Sequence, residues 1–171
     1  MSAWSWLLAL LVTMLLFDGT LAVEAQVGSC QRDVCSWRKQ LARDLIGSSP
    51  GGALFRVTLL GGSAPDGRGK PSIKWNRKPH DVYVFCSKKL PAVMIQVDGS
   101  LQVDALGISP DEYPPPVLYT SASIYMEVCH NTPDQDLNVL AKRFGYAVSA
   151  QEAETLSQGI KTPEDVLKVH W

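Results

Sequence analysis

Four cysteines constrain this chain more than any other feature, because all of them follow a short apolar run near its N-terminus. The run covers residues 7–17, and small residues come after it. Val23 and Ala25 stand three residues and one residue before a cut that would precede Gln26, which is the pattern of a cleaved secretory signal. The run is too short to span a bilayer as a helix, since about 20 apolar residues are needed. We therefore predict that residues 1–25 are a signal peptide.

The signal predicts an exported protein. We expect the bacterial periplasm or the exterior of the cell, and the lack of an N-glycosylation sequon favours the periplasm. Two alternatives would place the protein at a membrane. One is an uncleaved signal, and the other is lipid attachment at Cys30, since residues 27–30 loosely resemble a lipoprotein box.

The cysteines of the mature chain are Cys30, Cys35, Cys86 and Cys129. An even number in an oxidising compartment predicts two disulfides, although four cysteines allow three pairings. We favour Cys86 with Cys129, because this pair ends two strand-like runs, and Cys30 with Cys35, because that pair is local. The spacing does not match a structural zinc site, and the glycine-rich segment does not match a phosphate-binding loop. We predict no metal and no cofactor.

Alternating apolar residues predict strands in the middle of the chain. The clearest strand is His80–Cys86, where Val, Tyr and Phe residues alternate. Ala92–Val97 and residues 101–106 flank an Asp-Gly-Ser turn and predict a hairpin. Residues 53–60 and 117–129 are also rich in strand-forming side chains.

Two other segments have different patterns. Trp37, Leu41 and Leu45 recur every four residues, which predicts a short helix over residues 35–46. Residues 61–71 hold four glycines and two prolines, which predicts a loop.

Capping signals predict three short helices in the C-terminal part. Each signal is a hydroxyl residue followed three positions later by an acid or an amide: Thr132 with Gln135, Ser149 with Glu152, and Thr162 with Asp165. The fold class that follows is α+β. A mostly antiparallel sheet over about residues 53–129 is covered on one face by the three helices and preceded by the short N-terminal helix. Residues 26–171 form a single domain, and the alternative is a separate helical module at 131–171.

The charge of the mature chain is unevenly distributed. Residues 26–97 hold 12 Lys and Arg against 4 Asp and Glu, whereas residues 98–171 hold 4 against 11. We predict that a basic patch around one tryptophan binds a protein partner or an anionic component of the cell envelope, and not nucleic acid. Its residues are Lys70, Lys74, Trp75, Arg77 and Lys78. The alternative is a solvated strand edge on which lysines deter pairing with other strands.

No catalytic constellation stands out in the sequence. There is no nucleophile-elbow motif, and the paired carboxylates lie in a proline-rich loop or at a helix start. We predict a non-catalytic binding or accessory protein of the cell envelope, with no catalytic residues. The alternative is a small cysteine-dependent hydrolase that acts on cell-wall or peptide substrates, with Cys86 or Cys129 as nucleophile and a histidine from a neighbouring strand as base.

Overall fold

A seven-stranded antiparallel sheet carries the structure. The computed structural model describes residues 24–66, 72–132 and 136–170. In chain order the strands are β1 (Gln26–Gln31), β2 (Val34–Ser49), β3 (Gly52–Pro65), β4 (Lys74–Trp75), β5 (His80–Cys86), β6 (Ala92–Val97) and β7 (Ser100–Ala105). They are ordered β1-β2-β3-β5-β6-β7 across the sheet, and β4 pairs with β3 off this path.

Three short α-helices follow the sheet. They are α1 (Tyr119–His130), α2 (Leu137–Phe144) and α3 (Ala150–Ser157), with 3₁₀ segments at Pro116–Leu118 and Pro163–Lys168. An antiparallel sheet with helices on its C-terminal side confirms the predicted α+β class. The predicted signal peptide, up to residue 23, and Lys70 of the predicted basic patch lie outside the described residues.

The central strand β5 is buried on both faces of the sheet, because its alternate residues point to opposite sides. Val82 and Val84 are fully buried in a cluster with α1 and α2. Phe85 is fully buried in a second cluster, which includes Ile160 and Val166 from the end of the chain. The prediction that the helices cover one face is therefore wrong, since the central strand is apolar on both sides and needs a layer on each.

Residues 35–46, predicted as a helix, lie within β2 instead. This strand pairs with β3 from one end to the other. Leu41 and Leu45, which indicated a helical stripe, are exposed on the strand. The prediction is wrong because the hydrogen bonds of a long strand ladder outweigh the modest helix propensity of these residues.

Residues 117–129, predicted as a strand, mostly form α1. Ala122, Tyr125, Met126 and Cys129 have the i, i+3, i+4, i+7 spacing of one helix face, and they pack in the cluster under the sheet. The strand prediction is wrong because it followed the β-branched and aromatic composition, whereas the buried positions repeat with the period of a helix.

The sheet also lies earlier in the chain than predicted. It runs from Gln26 to Ala105 rather than over residues 53–129. The loop predicted over 61–71 is wrong at its start, because β3 continues to Pro65, and residues 67–71 lie outside the described residues.

Gly62 lies in the glycine-rich stretch that continues β3, at a point where the neighbouring segment comes close. A Cβ atom at Gly62 would lie 2.8 Å from the ring of Trp75 and 2.9 Å from the side chain of Ile73. A larger residue would therefore displace the neighbouring strand β4. The glycine marks a close approach within the sheet rather than a turn.

Two of the three predicted helix starts are confirmed. Ser149 caps α3, and Thr162 caps the last 3₁₀ segment in a capping box. Helix α2 begins at Leu137, however, with Asp136 as its N-cap rather than Thr132. The Asp136 carboxylate accepts hydrogen bonds from two backbone N–H groups of the first turn, which is a stronger cap than a hydroxyl one turn earlier.

Both predicted disulfides are confirmed. Cys30 and Cys35 face each other across β1 and β2 and are bonded. Cys86 at the end of β5 is bonded to Cys129 at the end of α1, with their Cα atoms 5.6 Å apart. No cysteine of the chain is free. The two disulfides point to an oxidising compartment.

The two disulfides differ in the length of chain that they close, which predicts different effects on stability. Cys86 and Cys129 are 43 residues apart, whereas Cys30 and Cys35 are 5 apart. We expect alanine at both Cys86 and Cys129 to lower the free energy of unfolding by about 4 kcal/mol, and alanine at both Cys30 and Cys35 by about 2 kcal/mol. Urea unfolding of the two double variants tests this, and equal losses would contradict it.

Candidate functional site

A cleft of about 820 Å³ opens where the β2–β3 turn, the end of β5 and the C-terminal segment meet. Three stretches of chain line it: Ser49, Pro50, Gly51 and Gly52; Cys86, Ser87, Lys88 and Lys89; and Leu167, Lys168, Val169 and His170. This volume lies within the usual range for small-molecule sites. The cleft is therefore the first place to look for a ligand.

Two local features shape the wall of the cleft. A side chain at Gly52 would collide with the carbonyl oxygen of Cys86, so glycine lets the β2–β3 turn lie directly against the end of β5. On the other side, Ser87 Oγ accepts hydrogen bonds from the N–H groups of Lys89 and Leu90, each at 3.1 Å. Leu90 is fully buried, and the turn that it anchors leaves Lys88 and Lys89 exposed at the rim.

The side chains that line the cleft give it a positive charge. Four of them are basic, and none carries a carboxylate. Lys168 Nζ lies 2.7 Å from a carboxylate oxygen of Asp165. The hydrogen bond from Lys168, with those from the N–H groups of Thr162 and Lys161, holds the pKa of Asp165 well below its usual range. Lys88, Lys89 and His170 form no ion pair within the described part of the chain and are available to a ligand.

An apolar wall completes the cleft. Leu167 and Val169 pack against the second core cluster and also line the opening. The half-buried Cys86, which carries the long disulfide, also lines the cleft. The arrangement offers apolar contact on one side and cationic groups at the rim, and these suit a ligand with an anionic group attached to an apolar part.

A buried hydrogen-bond chain begins directly behind the cleft. Tyr125 Oη donates to the carbonyl oxygen of Ser87 at 2.8 Å and accepts from the N–H of the same residue at 3.1 Å. Tyr146 Oη lies 2.8 Å from Tyr125 Oη and 2.7 Å from His130 Nε2. The His130 ring also stacks on Phe144, with 3.8 Å between ring centroids.

The number of available protons determines which group donates each hydrogen bond in this network. Each phenol has one proton, and that of Tyr125 goes to the Ser87 carbonyl. Tyr146 must then donate to Tyr125, and neutral His130 must carry its proton on Nε2 to donate to Tyr146. Burial raises the pKa of both tyrosines, so the phenols stay protonated at neutral pH. Burial, with a smaller effect of Lys88, lowers the pKa of His130.

The basic patch predicted from the sequence lies at the other end of the sheet. Trp75 is paired with β3, and Lys39 Nζ lies 4.9 Å from the centroid of its ring. Lys74, Arg77 and Lys78 are exposed near it.

The basic residues before and after β5 lie at two separate sites. Strand β5 separates Lys78 from Lys88, and its seven residues extend about 23 Å. The cleft was not predicted from the sequence, although Lys88 and Lys89, which follow closely after Cys86, were a signal for it. The second signal was the basic pair Lys168 and His170 in an otherwise acidic half.

The cysteines proposed as alternative nucleophiles or lipid sites are engaged in disulfides. Cys86 and Cys129 are bonded to each other, so a thiolate at either requires prior reduction. Cys129 also belongs to α1 rather than to the strand predicted over residues 117–129. The Cys30 sulfur, the predicted alternative for lipidation, is bonded to Cys35.

One group of metal-type ligands occurs among the described residues. The Asp66 carboxylate and the sulfurs of Cys30 and Cys35 lie within 4.8 Å of one another. Disulfide sulfurs do not offer the thiolate that a metal ion needs.

As for membrane association, no helix within the described ranges is long and apolar enough to cross a bilayer.

The lowered pKa of His130 predicts a pH-dependent stability. Folding favours the neutral ring, so stability falls as the pH drops below the ordinary pKa of 6.5 and the unfolded chain binds the proton first. Between about pH 8 and about pH 5 we expect the melting temperature to fall less in His130→Gln than in the wild type. The exposed His80→Gln should follow the wild type. Parallel curves for all three proteins would contradict the prediction.

Comparison with known proteins returned no relative: no protein-family model, no curated protein and no solved structure matches this chain.

Proposed function

We propose that this chain is an exported, non-catalytic binding protein that takes an anionic ligand in the cleft. The observation that carries the proposal is the cleft itself, where four basic side chains surround about 820 Å³ beside an apolar wall. Such a volume accommodates a ligand of drug-like size, and a few convergent charges fix its orientation. The two disulfides support a role outside the cytoplasm.

The lining favours a particular class of ligand. Lysine ammonium groups act as compact point charges that suit carboxylate, sulfate or phosphate groups. Leu167 and Val169 favour an aliphatic or aromatic portion next to that group. The proposed ligand is therefore an amphipathic anion, in keeping with a role as an accessory protein that binds envelope material.

Binding rather than catalysis is supported by the groups nearest the cleft. The Cys86 sulfur is oxidised, and the phenol of Tyr125 is buried with its pKa well above the usual value. Its proton is held by the Ser87 carbonyl. None of these groups is an activated nucleophile.

Anilinonaphthalene sulfonate, a fluorescent amphipathic anion, tests the proposed function. We expect Lys88→Glu with Lys89→Glu to weaken binding of this probe about tenfold or more, because two attractive charges at the rim become repulsive. Binding should also weaken as salt is added, since exposed charges are screened. Fluorescence titration gives both affinities.

The matched control is Lys74→Glu with Lys78→Glu, which makes the same charge change in the predicted patch beside β4. We expect this variant to bind the probe as the wild type does. Loss of probe binding in the control variant alone would place the binding site at the patch of Lys74, Trp75, Arg77 and Lys78. Absence of saturable binding to the wild type would contradict the proposal.

A further inference from the structure

One edge of the sheet is open along β2. Within the described ranges β2 pairs only with β1 and β3, and β1 pairs with it no further than Arg38, opposite Gln26. Residues 39–46 of β2, named here the open edge, therefore have a neighbouring strand on one side only. The opposite edge of the sheet, β7, has α3 packed beside it.

The open edge carries apolar side chains that the fold does not cover. Leu41, Leu45 and Ile46 are 45%, 60% and 37% exposed. Native sheets usually protect an edge with lysine, proline, a bulge or a covering element, because unpaired N–H and C=O groups pair readily with another strand. The open edge has Lys39 and two bulges, between Gln40 and Ala42 and between Leu45 and Gly47, but residues 42–45 contain no lysine and keep a regular register with β3.

The two cations of the open edge lie over aromatic rings. Arg43 lies 4.3 Å above the ring of Phe55, and Lys39 lies over Trp75 on the other face of the sheet. Neither forms an ion pair in the part of the chain that the structure describes. The single acid of this edge, Asp44, is already paired with Arg56 at 3.1 Å. Each face of the edge thus presents a cation that is ready to pair with an acid.

We propose that the open edge of β2 binds an extended, acidic segment of a partner protein by adding it to the sheet as a further strand. Backbone hydrogen bonds supply the strand geometry, and alternate side chains supply the selectivity. A carboxylate opposite Arg43 and one opposite Lys39 would complement the two cations. Small apolar residues would face Leu45 and Ala42. The proposal is independent of the cleft, since none of the residues of the open edge lines it.

The test uses a synthetic peptide, acetyl-Val-Thr-Glu-Val-Thr-Glu-amide, and a second peptide with lysine at both glutamate positions. In antiparallel pairing the residues of the first peptide face, in turn, Leu45, Asp44, Arg43, Ala42, Gln40 and Lys39. We expect the glutamate peptide to slow hydrogen exchange of the outward-facing amides of residues 42–45 about tenfold at saturation, as measured by NMR. The lysine peptide should leave their exchange unchanged.

Reversing the charge of Arg43 distinguishes specific strand pairing from nonspecific adsorption of the peptide. Arg43→Glu should lose the response to the glutamate peptide and gain a response to the lysine peptide, whereas Lys142→Glu on the exposed surface of α2 should behave as the wild type. Unchanged exchange with both peptides would overturn the proposal. So would protection of residues 42–45 that rises with protein concentration alone, because that would identify a second copy of the chain as the occupant.

Discussion

The burial of β5 on both faces is the constraint on which the rest of the structure depends. Val82 and Val84 on one side and Phe85 on the other are fully removed from water, so neither face of the sheet can be left bare. Helices α1 and α2 cover the first face, and the chain must then reach around to cover the second with Ile160 and Val166. The cleft is formed where this returning segment meets the β2–β3 turn.

Local signals in the sequence predicted the parts of the fold whose partners are near in the chain. The β5, β6 and β7 strands follow from alternation and a short turn. The caps at Ser149 and Thr162 depend only on a few neighbouring atoms. The Cys30–Cys35 pair was predictable because its two cysteines are close in the sequence. The Cys86–Cys129 pair was predicted correctly, but for a wrong reason, since Cys129 lies in α1 and not at the end of a strand.

The parts of the fold that were predicted wrongly or not at all depend on contacts between residues far apart in the sequence. β2 has helix-forming residues and becomes a strand only because β3 offers a ladder along its length. Helix α1 has strand-forming residues, yet Tyr125 must reach Ser87 and Tyr146 at once, which a helix on the sheet permits. The cleft combines residues from three stretches that lie far apart in the sequence, so no local pattern predicts it.

Residues 167–170 form one wall of the cleft, and Leu167 packs close against Gly47 from the other half of the chain. A wall made from positions so far apart forms only after the chain up to residue 170 has been synthesised and has collapsed. The cleft is consequently assembled later than the sheet. A chain that ends before residue 167 would possess most of the sheet and both disulfide partners of β1 and β2, yet it would lack this wall of the cleft.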